Sequence, residues 1–240
     1  MAELSLATLK GIEVSGECNQ LNPGVLVDGA KDAALYFNRN HALQVNSREA
    51  MVDQWTRQGR VFIGSTPVQG VPETMSAAGT AIVLTDPSLR FTVPSGLIVV
   101  PISVQVAGHH TTAKHAIFHV LATASDSYTS GGDAVPMPVT NALVTGTAQT
   151  KSTGVVKLHY SDTAIVEAAL VGPRCLKTYL KNATATDPTD WNPEYNIMKG
   201  DPMVYMVGPA SFLVYVVEET AALEAEWTMM WAELDAGSVP

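Results

Sequence analysis

The chain is short of charge. Of its 240 residues, only 15% are Asp, Glu, Lys or Arg, against roughly 25% in ordinary soluble domains. Ala, Thr, Ser, Gly and Val take their place, and interface cores are depleted in charge in the same way. The composition therefore points to a surface covered by other chains. Cations are the scarcer sign: 14 Lys and Arg against 23 Asp and Glu leave a net charge of −9. The nearest approach to a basic group is Arg48, Arg57 and Arg60, interrupted by Glu49 and Asp53, which reads as the solvated side of a short helix. Neutralising phosphates requires clustered cations, so the expectation is no direct nucleic-acid partner. Cysteine is nearly absent. Cys18 and Cys175 lie 157 positions apart and form no CxxC or zinc spacing, and a bond between them is left open. The opening MAELSLATLKG has no basic start leading into an apolar h-region. The longest apolar runs, Leu97–Ile102 and Phe212–Val217, are far below the ~20 residues that span a bilayer. The expectation is a soluble protein made in the cytoplasm, with no membrane partner.

What is present is alternation. Residues 1–60 are broken up by Gly, Asn and small polar residues, as in GECNQLNPGVLVDGAKD, and read as an extended arm for inter-subunit contacts containing at most a short helix. That helix starts at Ser47 as N-cap, places Met51, Val52 and Trp55 on one face and stops at Gly59. Residues 61–240 read as an all-β, jelly-roll-like β-sandwich. In LIVVPISVQV, Ile98, Val100, Ile102, Val104 and Val106 share one face, while Leu97, Val99, Pro101, Ser103 and Gln105 share the other. Pro101 has no amide hydrogen, which predicts a strand at a sheet edge or bulged at that point. HAIFHVLA, GVVKLHY, TAIVEAAL, MVYMV and SFLVYVV are further strands, separated by the turn signals SYTSGGD, DPTDWNPEYN, KGDP and VGPA. Shorter candidates near 61–64, 80–85 and 139–145 bring the total to about ten, spaced as in a sandwich or jelly roll. ETAALEAEWTMMWAEL is helical by propensity and a strand by alternation, with Ala225, Trp227, Met229 and Trp231 on one side. The strand over 225–234 is preferred, with ETAALE as the turn before it.

Four of the six histidines, His109, His110, His115 and His119, fall between 109 and 119 and raise the question of a metal. Adjacent His109 and His110 point to opposite faces of an extended chain. His115 and His119 share a face but stand roughly 13 Å apart along a strand, too far for one ion. A helix would unite them as in HExxH, yet HAIFH lacks the glutamate. The HxH pair of a cupin-like enzyme is also missing. The reading is that His109 and His110 occupy a polar loop with Thr111 and Thr112, and that His115 and His119 lie on a sheet face against neighbouring chains. There is no GxSxG and no GxGxxG. GTAQTKST lacks the glycine before its lysine that a phosphate loop needs. Asp187 with Asp190 and Glu218 with Glu219 read as turn and edge chemistry, and Asn182-Ala183-Thr184 is a sequon of no weight without a signal peptide. No catalytic, cofactor-binding or metal-binding residue is assigned, and the chain is not expected to be an enzyme.

The irregular arm, the FTVPSGLIVVPISVQV strand and the closing SFLVYVV and EWTMMWAEL together resemble virion structural proteins of tailed bacteriophages. The chain is most similar to jelly-roll head-decoration (cement) proteins, over roughly residues 61–234. The resemblance implies a homo-oligomer, a trimer above all, that binds the major capsid protein or other virion proteins and stabilises the head lattice, located in the virion after assembly in the host cytoplasm. Three alternatives stand beside it. One is a tail or fibre component presenting Tyr128, Trp191 and Tyr195 to a receptor glycan. The others are a single jelly-roll capsid subunit and a cupin-like metal enzyme.

Overall fold

The computed structural model describes residues 26–27, 34–37, 43–44, 48–66, 73–74, 81–109, 115–132, 138–144, 157–160, 165–168, 170–182, 190–218 and 224–235. Ser47, His110, Thr111, Thr112, GTAQTKST, Asp187, Glu219, ETAAL and Cys18 lie outside them. The chain divides into two compact units, residues 1–51 and 52–240. In the first, β1 (Leu26–Val27), β2 (Ala34–Phe37) and β3 (Leu43–Gln44) form a small antiparallel sheet in the order β1-β2-β3, within the stretch that the sequence marks as an extended arm with at most a short helix. Helix α1 (Arg48–Arg57) straddles the division. It ends where predicted, because Gly59 takes φ +69°, which lets the Arg60 amide bond to the Trp55 carbonyl at 2.9 Å. Val52 is buried in the core of the second unit and Trp55 packs against it.

The second unit is all antiparallel β. Its strands are β4 (Val61–Ser65), β5 (Glu73–Thr74), β6 (Leu89–Val93), β7 (Leu97–His109), β8 (His115–Thr123), β9 (Tyr128–Ser130), β10 (Val139–Asn141), β11 (Lys157–Tyr160), β12 (Val166–Glu167), β13 (Arg174–Asn182), β14 (Asp190–Trp191), β15 (Glu194–Asn196), β16 (Met206–Val207), β17 (Ala210–Glu218) and β18 (Glu224–Asp235). One sheet runs β10-β4-β18-β7, with β14, β15 and β16 following one another along the far side of β7 and β5 beside β18. The other runs β11-β6-β17-β8-β13. The two face each other across one apolar core. Rings from both sides meet there: Phe91 lies 4.9 Å from Trp231, Tyr195 5.7 Å from Phe212, and Phe118 6.4 Å from Trp191.

Pairing is nested. β4 pairs with β18, β6 with β17, β7 with β14 to β16, and β8 with β13. That is a long antiparallel ribbon folded over on itself, and the pairings β7–β18 and β8–β17 join its segments within each sheet. The doubtful C-terminal segment is the strand the alternation favours. Helix propensity yields to tertiary pairing, because β18 is hydrogen-bonded on both sides, by β4 and β7.

β7 is central rather than at an edge, and its bulge explains how a proline fits. The register against β18 passes from Ser103 opposite Met230 to Pro101 opposite Trp231. On the other flank β15 ends opposite Ser103 and β16 begins opposite Val99. Neither partner therefore asks Pro101 for an amide hydrogen. The extra residue also shifts the alternation, so Ile98, Val99, Val100, Pro101 and Ile102 are all buried and the two-face division holds only beyond Ser103.

Other expectations are corrected. Residues 81–88 form turns, not a strand. DPTDWNPEYN is not simply a turn, because Trp191 and Tyr195 sit on β14 and β15 with their rings in the core. β13 goes unpredicted because it is an edge strand with few buried side chains, so its polar residues mask the alternation. Where the chain turns back into β17, Gly208 donates its amide to the Leu97 carbonyl at 3.0 Å. A Cβ there would meet the Pro94 carbonyl oxygen at 1.8 Å, so no other residue fits.

Candidate interaction surface

The residues singled out from the sequence separate into core and surface. Trp191 and Tyr195 are 1% and 0% exposed, which removes them as glycan-presenting side chains and makes them anchors of the sandwich. Tyr128 is on the surface, its hydroxyl donating to the Gly131 carbonyl at 2.6 Å. Among the histidines, His109 closes β7, while His115 and His119 face outward from β8, opposite in direction to the buried Phe118. His119 is half-buried, with Nδ1 at 2.6 Å from Thr178 Oγ1 and its ring 6.0 Å from Tyr215. Among the described residues, no three His, Cys, Asp or Glu side chains come together as metal ligands.

Burial pushes the His119 pKa below its ordinary 6.5. A depressed folded-state value means that His119 favours the folded state fully above about 6.5 and loses that contribution as pH falls through the lower folded value. Chemical denaturation at pH 7.5 and pH 5.5 is expected to show a smaller loss of stability for His119→Gln than for the parent chain. An identical loss in both would remove His119 as the cause.

An outer layer covers the β6, β17 and β8 part of the second sheet. Its apolar part is Leu121, Leu213 and Tyr215 on the sheet, met by Ile82 and Leu170 from the overlying segments. The Tyr215 hydroxyl donates to the Leu84 carbonyl at 2.8 Å. Burial, with the negative charges of Glu167 and Asp86, pushes that phenol's pKa upward, so it stays a donor. Ser88 bridges to β17 through its hydroxyl, which accepts from the Val216 amide at 2.9 Å and donates to the Val216 carbonyl at 3.1 Å.

The polar part centres on Arg90, only 1% exposed. Its Nε pairs with Glu167, its terminal nitrogens donate to Thr92 and Asp126, and its guanidinium lies 4.6 Å from the centre of the Tyr128 ring. Ser127 donates to the second Glu167 oxygen at 2.8 Å. A guanidinium suits this position because its fork satisfies several acceptors at once. The sequence gives no warning of the cluster, since its members are spread from residue 90 to residue 167.

The free flank of the sandwich is a different kind of surface. β13 ends one sheet, and β16 with its neighbours ends the other. Lys177 on β13 ties the two to each other through Asp201 at 2.6 Å. Between them lies a depression of about 220 Å³, lined among others by Ala122, Arg174, Val204, Tyr205, Met206 and Val207. Tyr179, Leu180, Tyr205 and Val207 are 44%, 56%, 45% and 60% exposed along this flank. Single exposed apolar residues are ordinary, but a run of them along one side marks a contact surface.

Round the corner, on the outer face of the larger sheet, Gln105, Asn192, Glu194, Glu226 and Thr228 line a polar cleft. Burial alone would raise the Glu194 pKa. Hydrogen bonds from Lys199, Asn196 and Gln105, with the Lys199 charge, outweigh it and hold the carboxyl below its usual range.

No family model matches this chain, and comparison with curated proteins and with solved structures returns no significant match.

Proposed function

We propose that this chain is a structural virion protein, a jelly-roll subunit that decorates and cements a capsid lattice through oligomeric contacts. The observation that carries the reading is the nested pairing of β4 with β18, β6 with β17, β7 with β14 to β16 and β8 with β13. A long hairpin rolled into two sheets is the pattern of jelly rolls, which recur in viral capsid proteins as well as lectins and cupins. Two features favour the capsid branch. The interior, where a cupin holds its ligand, is filled by Phe91, Phe118, Trp191, Phe212 and Trp231. The flank with exposed Tyr179, Leu180, Tyr205 and Val207 supplies apolar surface for a neighbour, and modest contacts repeated by symmetry add up to avidity.

The same nested pairing favours a second reading, in which the chain is a capsid subunit that builds shells alone. Expression in isolation separates them. Light scattering and electron microscopy are expected to show discrete soluble oligomers, with a trimer as the leading state. Closed shells would support the second reading instead, and a monomer at all concentrations would overturn both.

A further inference from the structure

β13 joins an open backbone edge to a run of positive charge. No described strand pairs with its outer side, so a row of backbone donors and acceptors about 30 Å long, at ~3.3 Å per residue, faces away from the sheet. Its nine residues hold Arg174, Lys177 and Lys181 and no acid, in a chain whose net charge is −9. Cations on an edge are a known guard against pairing with an identical edge, because like charges would meet. A guard alone does not account for Tyr179 and Leu180, which are 44% and 56% exposed at mid-strand. Tyr179 stands opposite Phe118 and Leu180 opposite Ile117 on β8, so each face of the sheet ends in an uncovered apolar side chain. Asp201 pairs with Lys177, and the strand, with three cations and no acid in its sequence, stays positive overall.

We propose that the outer edge of β13 accepts an extended acidic segment of a partner protein as an added strand, with apolar residues at the centre of that segment and carboxylates flanking them. Backbone hydrogen bonds would supply affinity, and side-chain fit and charge would supply selectivity. The inference rests on reading this flank as an interface, but not on the virion.

The test uses the full chain and a blocked, dye-labelled heptapeptide with three central valines between paired glutamates. The comparison peptide carries lysines in place of the glutamates. Fluorescence anisotropy is expected to show binding of the glutamate peptide only, weakened about tenfold between 0.05 and 0.5 M salt as the screening length shortens. Arg174→Glu, at an exposed position, is expected to weaken it about fivefold, and Leu180→Asp more. If Leu180→Asp fails to fold by circular dichroism, Arg174→Glu decides alone. Lack of binding, equal binding of the lysine peptide, undiminished binding by Arg174→Glu, or self-association through β13 would each overturn the inference. A monomeric chain that binds the peptide would sink the assembly reading and leave this one standing. An oligomer whose β13 ignores the peptide would do the reverse.

Discussion

Arg90→Ala is expected to lower the unfolding free energy by about 3–5 kcal/mol, measured by urea denaturation at pH 7. Glu167 is 2% exposed, and removing its guanidinium partner strands a carboxylate in a site from which water is excluded. Ordinary proteins have only about 5–15 kcal/mol of total stability, so the variant sits near the limit of folding. The wild-type cluster itself is worth far less than this loss, since desolvating Arg90 and Glu167 consumes most of their attraction. The double variant Arg90→Met with Glu167→Leu separates the two statements, and it is expected to recover most of the loss. A loss below about 1 kcal/mol for Arg90→Ala would mean that Asp126, which is partly exposed, carries the pairing in a solvated environment.

Trp231→Ala is expected to cost a comparable 3–5 kcal/mol or so, through a void instead of a stranded charge. Trp231 is 0% exposed and touches aromatic partners on both sheets, with Phe91 at 4.9 Å and Phe62 at 6.2 Å. Its Nε1 also donates to Glu233 at 3.1 Å. Trp231→Phe keeps most of the volume and loses that donor, so a smaller loss, about 1–3 kcal/mol, is expected. Thermal unfolding should place the alanine variant well below the phenylalanine variant, and coincident midpoints would show that the packing of the ring does not matter there.

These two residues also mark what a sequence discloses. Trp231 is legible because β18 alternates, with Ala225, Trp227, Met229 and Trp231 all at 3% exposure or less. Arg90 is not legible, because it lies in the run LRFTV, where every residue is buried, and its acidic partners, Asp126 in a loop and Glu167 on β12, lie far along the chain. Period-2 patterns survive where one face meets water. They vanish where a second layer covers the outer face, as at β6 and β17, and where neither face is well covered, as at β13. The sandwich, helix α1 and the bulge at Pro101 follow from local chemistry. The exposed flank does not, because exposure of Tyr179 or Val207 depends on which strand ends each sheet, and that order is a long-range property.

The first strand of the sandwich and the last are neighbours. β4 begins at Val61 and its partner β18 begins at Glu224. At ~5–20 residues per second on a ribosome, on the order of ten to thirty seconds separate their synthesis. Over that interval Val61 and Phe62, both buried in the finished protein, wait without their mate. Closure therefore waits on β18 and is slow, as expected of such distant pairing, and until then the nascent chain is a natural client for chaperones.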